Sequence, residues 1–197
     1  AMQEGIVTST SIMANMPGFA HAVQLYHEHP DMAVGVHLNL TCYRPLLSTH
    51  QTLVTETGYF HKQDDVAGYS ESEMYEELKA QIDCVLAHGI RIDHLDSHHH
   101  IHTTQKLQKV MEKLNKEYAL PFRGGFAYPV SFPHAQLCMD FYDSGVGDGF
   151  DVPSAYIDQF LYETTSYSWK RMKELEILCS EEAAALLQRY QDTIVYL

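Results

Sequence analysis

The chain has 197 residues, a length that suits one domain and can bury a substantial core. Its composition, 45% hydrophobic and 20% charged, is that of an ordinary soluble globule. Thirteen Lys and Arg against 26 Asp and Glu give a formal charge of −13, which disfavours nucleic acid and anionic membrane as partners and suits a neutral or cationic small molecule.

Ala1-Met2-Gln3-Glu4-Gly5 lacks the basic start and apolar core of a signal peptide. It reads as the last turn of a helix closed by Gly5, as if the chain opened part-way into a longer protein. The uncharged, β-branched stretch 6–13 predicts a buried strand. After Pro17-Gly18, the residues Phe19, Ala22, Val23 and Tyr26 recur at helical spacing until His29-Pro30. In the next strand, 33–40, Val34, Val36, Leu38 and Leu40 point one way while Ala33, Gly35, His37 and Asn39 point the other. A His and an Asn on the small-residue face suggest a polar site inside a barrel or cleft. Residues 41–69 predict a long loop of the kind that is often functional. Ser70 and Glu73 read as a capping box, Met74, Leu78, Ile82 and Val85 as a buried stripe, and Gly89 as the stop.

A strand at 90–96 runs into His94-Leu95-Asp96-Ser97-His98-His99-His100-Ile101-His102, five histidines and a carboxylate in nine residues. Neutral imidazole is a common metal ligand, and a carboxylate can coordinate or orient the ring through its second nitrogen. An extended backbone would bring His94, Asp96, His98, His100 and His102 to one face. A helix is expected at 104–118 with Leu107, Val110, Met111 and Leu114 inward, then a short strand at 120–123 halted by Gly124-Gly125. Residues 125–155 carry no readable pattern. Met172, Leu175 and Leu178 mark a helix, Ser180 caps another carrying Ala184 and Leu187, and 194–197 closes as a strand. Cys42, Cys84, Cys138 and Cys179 form no C-x-x-C pair, so reduced thiols in a cytoplasmic protein are expected. No apolar run is long enough to span a bilayer.

Alternating strands and helices predict an α/β fold with a parallel sheet. Polar residues at strand C-termini favour a βα-barrel, and no G-x-G-x-x-G or G-x-x-x-x-G-K-[ST] supports a nucleotide-binding sheet. If His37 and His98 hold one divalent metal, a third ligand is expected and a bound water is activated. That describes a metal-dependent hydrolase of an amide, ester or phosphoester, its substrate open.

The stretches 5–10, 34–41 and 94–102 together resemble the YdjC-like carbohydrate deacetylases, which include the chitooligosaccharide deacetylases. Asn15-Met16-Pro17, Leu120-Pro121-Phe122-Arg123 and Ser166-Tyr167…Arg171…Glu174-Leu175 are similar in order and spacing. The resemblance implies a single βα-barrel domain over 1–197, seven-stranded and incomplete in this chain. It implies removal of N-acetyl groups from amino sugars with one divalent ion, magnesium or zinc. It further implies His37 and His98 as metal ligands, Asp96 and His100 as catalytic or supporting groups, and substrate contacts from Asn15, Arg123 and His102. The family opens with a strand ending Ala-Asp-Asp-Phe-Gly, which supplies a catalytic base and a metal ligand; this chain contains neither, and both are expected upstream of Ala1. A late His-Pro-(Gly/Ala)-Tyr-x-Asp segment is matched only at Ala155-Tyr156-Ile157-Asp158, where Pro153-Ser154 stands before it. A hydrolase of phosphoesters or cyclic amides and an inactive metal- or sugar-binding homologue remain open alternatives, as does assembly into a homodimer.

Overall fold

The computed structural model describes residues 3–135 and 174–190, and the chain divides into two compact units: Ala1–Thr8 with Cys138–Leu197, and Ser9–Leu137. In the second unit five strands form: β1 (Ser9–Ile12), β2 (Ala33–Leu38), β3 (Ile92–Ser97), β4 (Phe122–Arg123) and β5 (His134–Ala135). They make one sheet in the order β1-β2-β3-β4-β5, every neighbouring pair parallel. Crossovers are made by α1 (Phe19–Glu28) between β1 and β2, α2 (Glu71–Ala87) between β2 and β3, and α3 (Gln108–Tyr118) between β3 and β4. The expected parallel α/β class is what is found.

Val34, Val36, Leu38 and Leu40 are all buried, as the alternation requires, and pack with Leu95 and Phe122 in one core. Helix α2 closes this core with Met74, Leu78, Ile82 and Val85, each fully buried. Burying a side chain of that size stabilises by about 1.5–3 kcal/mol. Gly89, at φ +76°, ends α2 in the left-handed region that glycine enters without strain. Leu107, Val110, Met111 and Leu114 form the inward face of α3. Among the described residues no helix is long and apolar enough to cross a membrane.

Three local expectations are corrected. Of β1 only Ile12 is buried, and Ser9 and Thr10 are exposed, because β1 pairs only with β2 among the described residues. Gln3 and Glu4 form a turn, and the Ala1 and Met2 part of the expected helix end falls outside the described residues. Strand β5 lies in the stretch with no readable pattern, since two residues are too few to show alternation. The capping box does not form: Ser70 Oγ bonds to Ser72 Oγ, and Glu73 accepts from Gln51 N, Thr52 N and Thr52 Oγ1. In the other unit Ile6 N donates to Leu178 O at 2.9 Å, and α4 (Glu181–Tyr190) is capped by Ser180, whose Oγ accepts from Ala183 N. The expected strand at 194–197, Met172, Cys138 and the segment Ala155–Asp158 fall outside the described residues.

The long connection 41–69 is fastened to the sheet from within. Glu77 and Gln81 occupy core positions of α2 and are fully buried. Glu77 accepts from Leu46 N, Leu47 N, His50 Nε2 and Gln81 Nε2, and Gln81 bonds both the amide and the carbonyl of Asn39. One carboxylate therefore satisfies two loop amides and an imidazole in a place water does not reach. Glu77→Ala should lower the unfolding free energy by about 3 kcal/mol, because it strands those donors. Urea denaturation checks the magnitude, and limited proteolysis should show new cleavage within 41–69.

Candidate active site

The polar face of the sheet is laid out by register. Parallel pairing sets His37 of β2 beside Asp96 of β3, and Leu95 beside Phe122, which brings Arg123 next to Asp96. Between Val34 and Val36 the β2–β3 register shifts, Val34 facing Ile92 but Val36 facing Leu95, so β3 carries one extra residue. His94 lies over Gly35, where any Cβ would collide with its ring. That close approach requires glycine.

Asp96 is the centre of the face. Its Oδ1 accepts from His37 Nδ1 at 2.9 Å, and its Oδ2 accepts from Ser11 Oγ at 3.3 Å and is ion-paired with Arg123 Nη1 at 3.2 Å. Burial pushes the carboxyl pKa up, but the His37 hydrogen bond and the charges of His37, Arg123 and His94 outweigh it and hold Asp96 below the ordinary carboxylate value. The carboxylate fixes Nδ1 of His37 as the protonated nitrogen, so Nε2 is the one with a lone pair to offer.

Beyond β3 the alternation stops. Residues 98–103 form a 3-10 turn in which His99 and His100 sit at φ +52° and +54°, left-handed values that non-glycine residues rarely adopt. The expectation that His98, His100 and His102 continue one strand face is therefore corrected by a turn. His98 opens it and stands edge-on to His37, ring centroids 5.6 Å apart. His99 stacks on His98 and bonds Thr41 Oγ1 through Nδ1. His100 is exposed, its pKa lowered by partial desolvation and then by the charges of Arg123 and His37.

His102 points inward and is fully buried. Its Nε2–H donates to Arg123 O at 2.8 Å, so Nδ1 accepts from Ser97 Oγ at 2.5 Å, and Ser97 Oγ in turn accepts from His102 N. Both ring nitrogens are committed to the protein, and Tyr128 OH donates to His102 O. Asn15, also buried, gives its amide to Cys42 O and Arg44 O and its carbonyl to Asn39. The structure thus gathers His37, Asp96, His98, His100 and Arg123, and sets Asn15 and His102 within internal networks. Ser11, Ser97 and Tyr128 were not singled out by the sequence reading; Ser97, lying between Asp96 and His98, offered the one local signal.

Two imidazoles, one of them oriented by a carboxylate, match part of the donor set of a divalent metal in kind. Among the described residues no group of three His, Cys, Asp or Glu side chains is disposed to hold a metal ion, so the donor set is not complete there.

Burial lowers the His102 pKa from the usual 6.5 to about 4. The unfolded chain then binds the proton more readily than the folded one between those values, so stability falls as pH drops through 6.5 and the loss is complete near 4. The gap corresponds to roughly 3 kcal/mol. Urea midpoints measured from pH 7 to pH 4 should show this decline, with a shallower slope in His102→Gln.

A profile of the YdjC-like protein family matches residues 1–139. Carbohydrate deacetylases of Halalkalibacterium halodurans and Geobacillus stearothermophilus are 36% and 35% identical to the chain, covering 90% and 100% of it and 86% and 88% of their own lengths. A carbohydrate deacetylase of Vibrio parahaemolyticus is 34% identical over 90% of the chain and 79% of its own length. A crystal structure from Enterococcus faecalis, described as a cellobiose-phosphate cleavage protein, superposes with a TM-score of 0.80 at 27% identity, covering 98% of this chain and 90% of that one. The match spans the whole polar face of the sheet, and the chain belongs to the YdjC-like protein family.

Proposed function

We propose that the chain is a carbohydrate deacetylase that hydrolyses the N-acetyl group of an amino sugar, with chitooligosaccharides as the substrate class the sequence resemblance suggests. The observation that carries this reading is the pairing of His37 and His98 at the C-terminal ends of β2 and β3, with Asp96 behind His37. Relatives that share most of the chain are carbohydrate deacetylases, which fits the same chemistry. A sheet whose spatial order follows chain order, all parallel and without a switch point, suits part of a βα-barrel, with the site on its C-terminal face. Free thiols at Cys42, Cys84 and Cys179 suit a cytoplasmic protein.

A magnesium or zinc ion held by His37 and His98, with a third donor from outside the described residues, would polarise the acetamide carbonyl and lower the pKa of a water. The chain's own groups do the rest. Asp96 keeps its charge despite its burial, because the His37 hydrogen bond and the neighbouring charges of His37 and Arg123 outweigh desolvation, so it holds the His37 Nδ1 proton rather than taking one from substrate. His100, exposed at the edge of the site and with its pKa lowered by partial desolvation, is neutral at pH 7 and can carry the proton given up by the attacking water to the leaving amine. A second reading, an inactive metal- or sugar-binding homologue, is favoured by one observation: among the described residues no three such donors are disposed to hold a metal ion.

Acetate release from N-acetylglucosamine oligomers, measured against phosphate release from generic phosphoesters, tests the reaction class. Absence of both activities in a protein that binds zinc would select the inactive reading. His37→Ala and His98→Ala should each weaken zinc binding by more than the about 10–100-fold that loss of an outer partner costs. His99→Ala, whose ring is tied to Thr41, should change it far less. Calorimetric titration decides, and equal losses in His98→Ala and His99→Ala would defeat the assignment.

A further inference from the structure

We propose that Arg123 is a positioning residue that sets both histidines of the site at once, and not a contact for the sugar. Two sets of contacts converge on this one residue of β4. Its side chain reaches β3: Nη1 lies 3.2 Å from Asp96 Oδ2, and Nη2 donates to Ser97 O at 2.7 Å. Through Asp96 this fixes the His37 ring, whose Nδ1–H has the other carboxylate oxygen as its acceptor. The main chain of Arg123 reaches the turn: its carbonyl accepts from His102 Nε2, which directs His102 Nδ1 to Ser97 Oγ and closes the 3-10 turn on the residue before His98. The Ser97 carbonyl held by the guanidinium and the Ser97 hydroxyl held by His102 belong to the same residue, so the entry to His98 is gripped from both sides.

The guanidinium is directed into the protein. Nη2 donates to the Ser97 carbonyl, Nη1 is ion-paired with Asp96, and Nε is buried with no hydrogen-bond partner. A residue recruited to bind sugar hydroxyls would keep its donor edge towards the cleft. Here that edge faces a carboxylate and a backbone carbonyl, a planar two-point grip that lysine cannot reproduce.

The consequence is separable from substrate binding. Outer partners of metal-ligating histidines fix the ring tautomer and tune affinity by about 10–100-fold. In the full chain, free of added metal, 15N spectra of the histidine rings should show His37 as a single tautomer protonated at Nδ1. Arg123→Gln should leave it a mixture, with zinc affinity reduced at least tenfold and KM for an N-acetylglucosamine oligomer changed less than twofold while kcat falls. Arg123→Lys, which keeps the charge but not the grip, should fall between the two, and it stands in if the Gln variant does not fold. An unchanged His37 tautomer and zinc affinity with a tenfold rise in KM would make Arg123 a sugar contact and overturn the proposal. The zinc arm rests on His37 and His98 being metal ligands. If the unsubstituted protein binds no zinc, that reading fails, and the tautomer of His37 in the metal-free protein still decides the role of Arg123.

Discussion

One carboxylate ties four strands together. Asp96 stands on β3, accepts from Ser11 of β1 and His37 of β2 and is ion-paired with Arg123 of β4, so its two oxygens bridge the sheet laterally across the polar face. A buried carboxylate is costly unless its lone pairs are met, and here each oxygen has at least one donor. Removing Arg123 would leave that charge without its cationic partner in the middle of the sheet. The geometry of His37 is therefore a by-product of satisfying Asp96, and the site inherits its rigidity from an electrostatic need of the fold.

A second buried acid does for the long connection what Asp96 does for the strands. Glu77 takes two amides and an imidazole from residues 46–50, while Gln81 and Asn39 extend the network to Asn15. Thr41 and Gln63, from the same connection, bond His99. The loop that overlies the histidine turn is thus anchored below by α2 and contacts the turn itself. Part of the chain's acidic excess is structural: Glu73, Glu77 and Asp96 all serve as acceptors for protein donors.

The sheet and helices were legible because their residues obey simple periods. Val34, Val36, Leu38 and Leu40 alternate, and Met74, Leu78, Ile82 and Val85 recur at helical spacing, so burial follows pattern. Of the site, the proximity of His37, Asp96 and His98 was legible and the internal networks were not. Glu77 and Gln81 sit at stripe positions of α2, where a polar residue signals a buried partner, but nothing local names that partner. Ser70 and Glu73 had the right spacing for a cap and lost to better acceptors and donors from the loop. Strand parity carried correctly through His94 and Asp96 and then failed, because it assumes an extended backbone and the chain turns at His98.

That turn explains why the histidines are so crowded in sequence. His99 and His100 both hold left-handed backbone angles, each costing on the order of 1–3 kcal/mol for a side-chain-bearing residue. Such strain persists only where the surroundings over-determine it. Here Thr41 holds the His99 ring, Gln63 holds its carbonyl, Thr103 Oγ1 donates to His100 O, and the Ser97–His102 clamp closes the base. The two strained residues reverse the chain at the end of β3, which leaves His98 beside His37 instead of carrying it on along the strand axis. Of the five histidines, then, His98 is presented to the site, His99 and His102 hold the turn in place, His100 is left at its exposed edge, and His94 packs over Gly35. Similar side chains take different roles because the backbone stops alternating after Ser97.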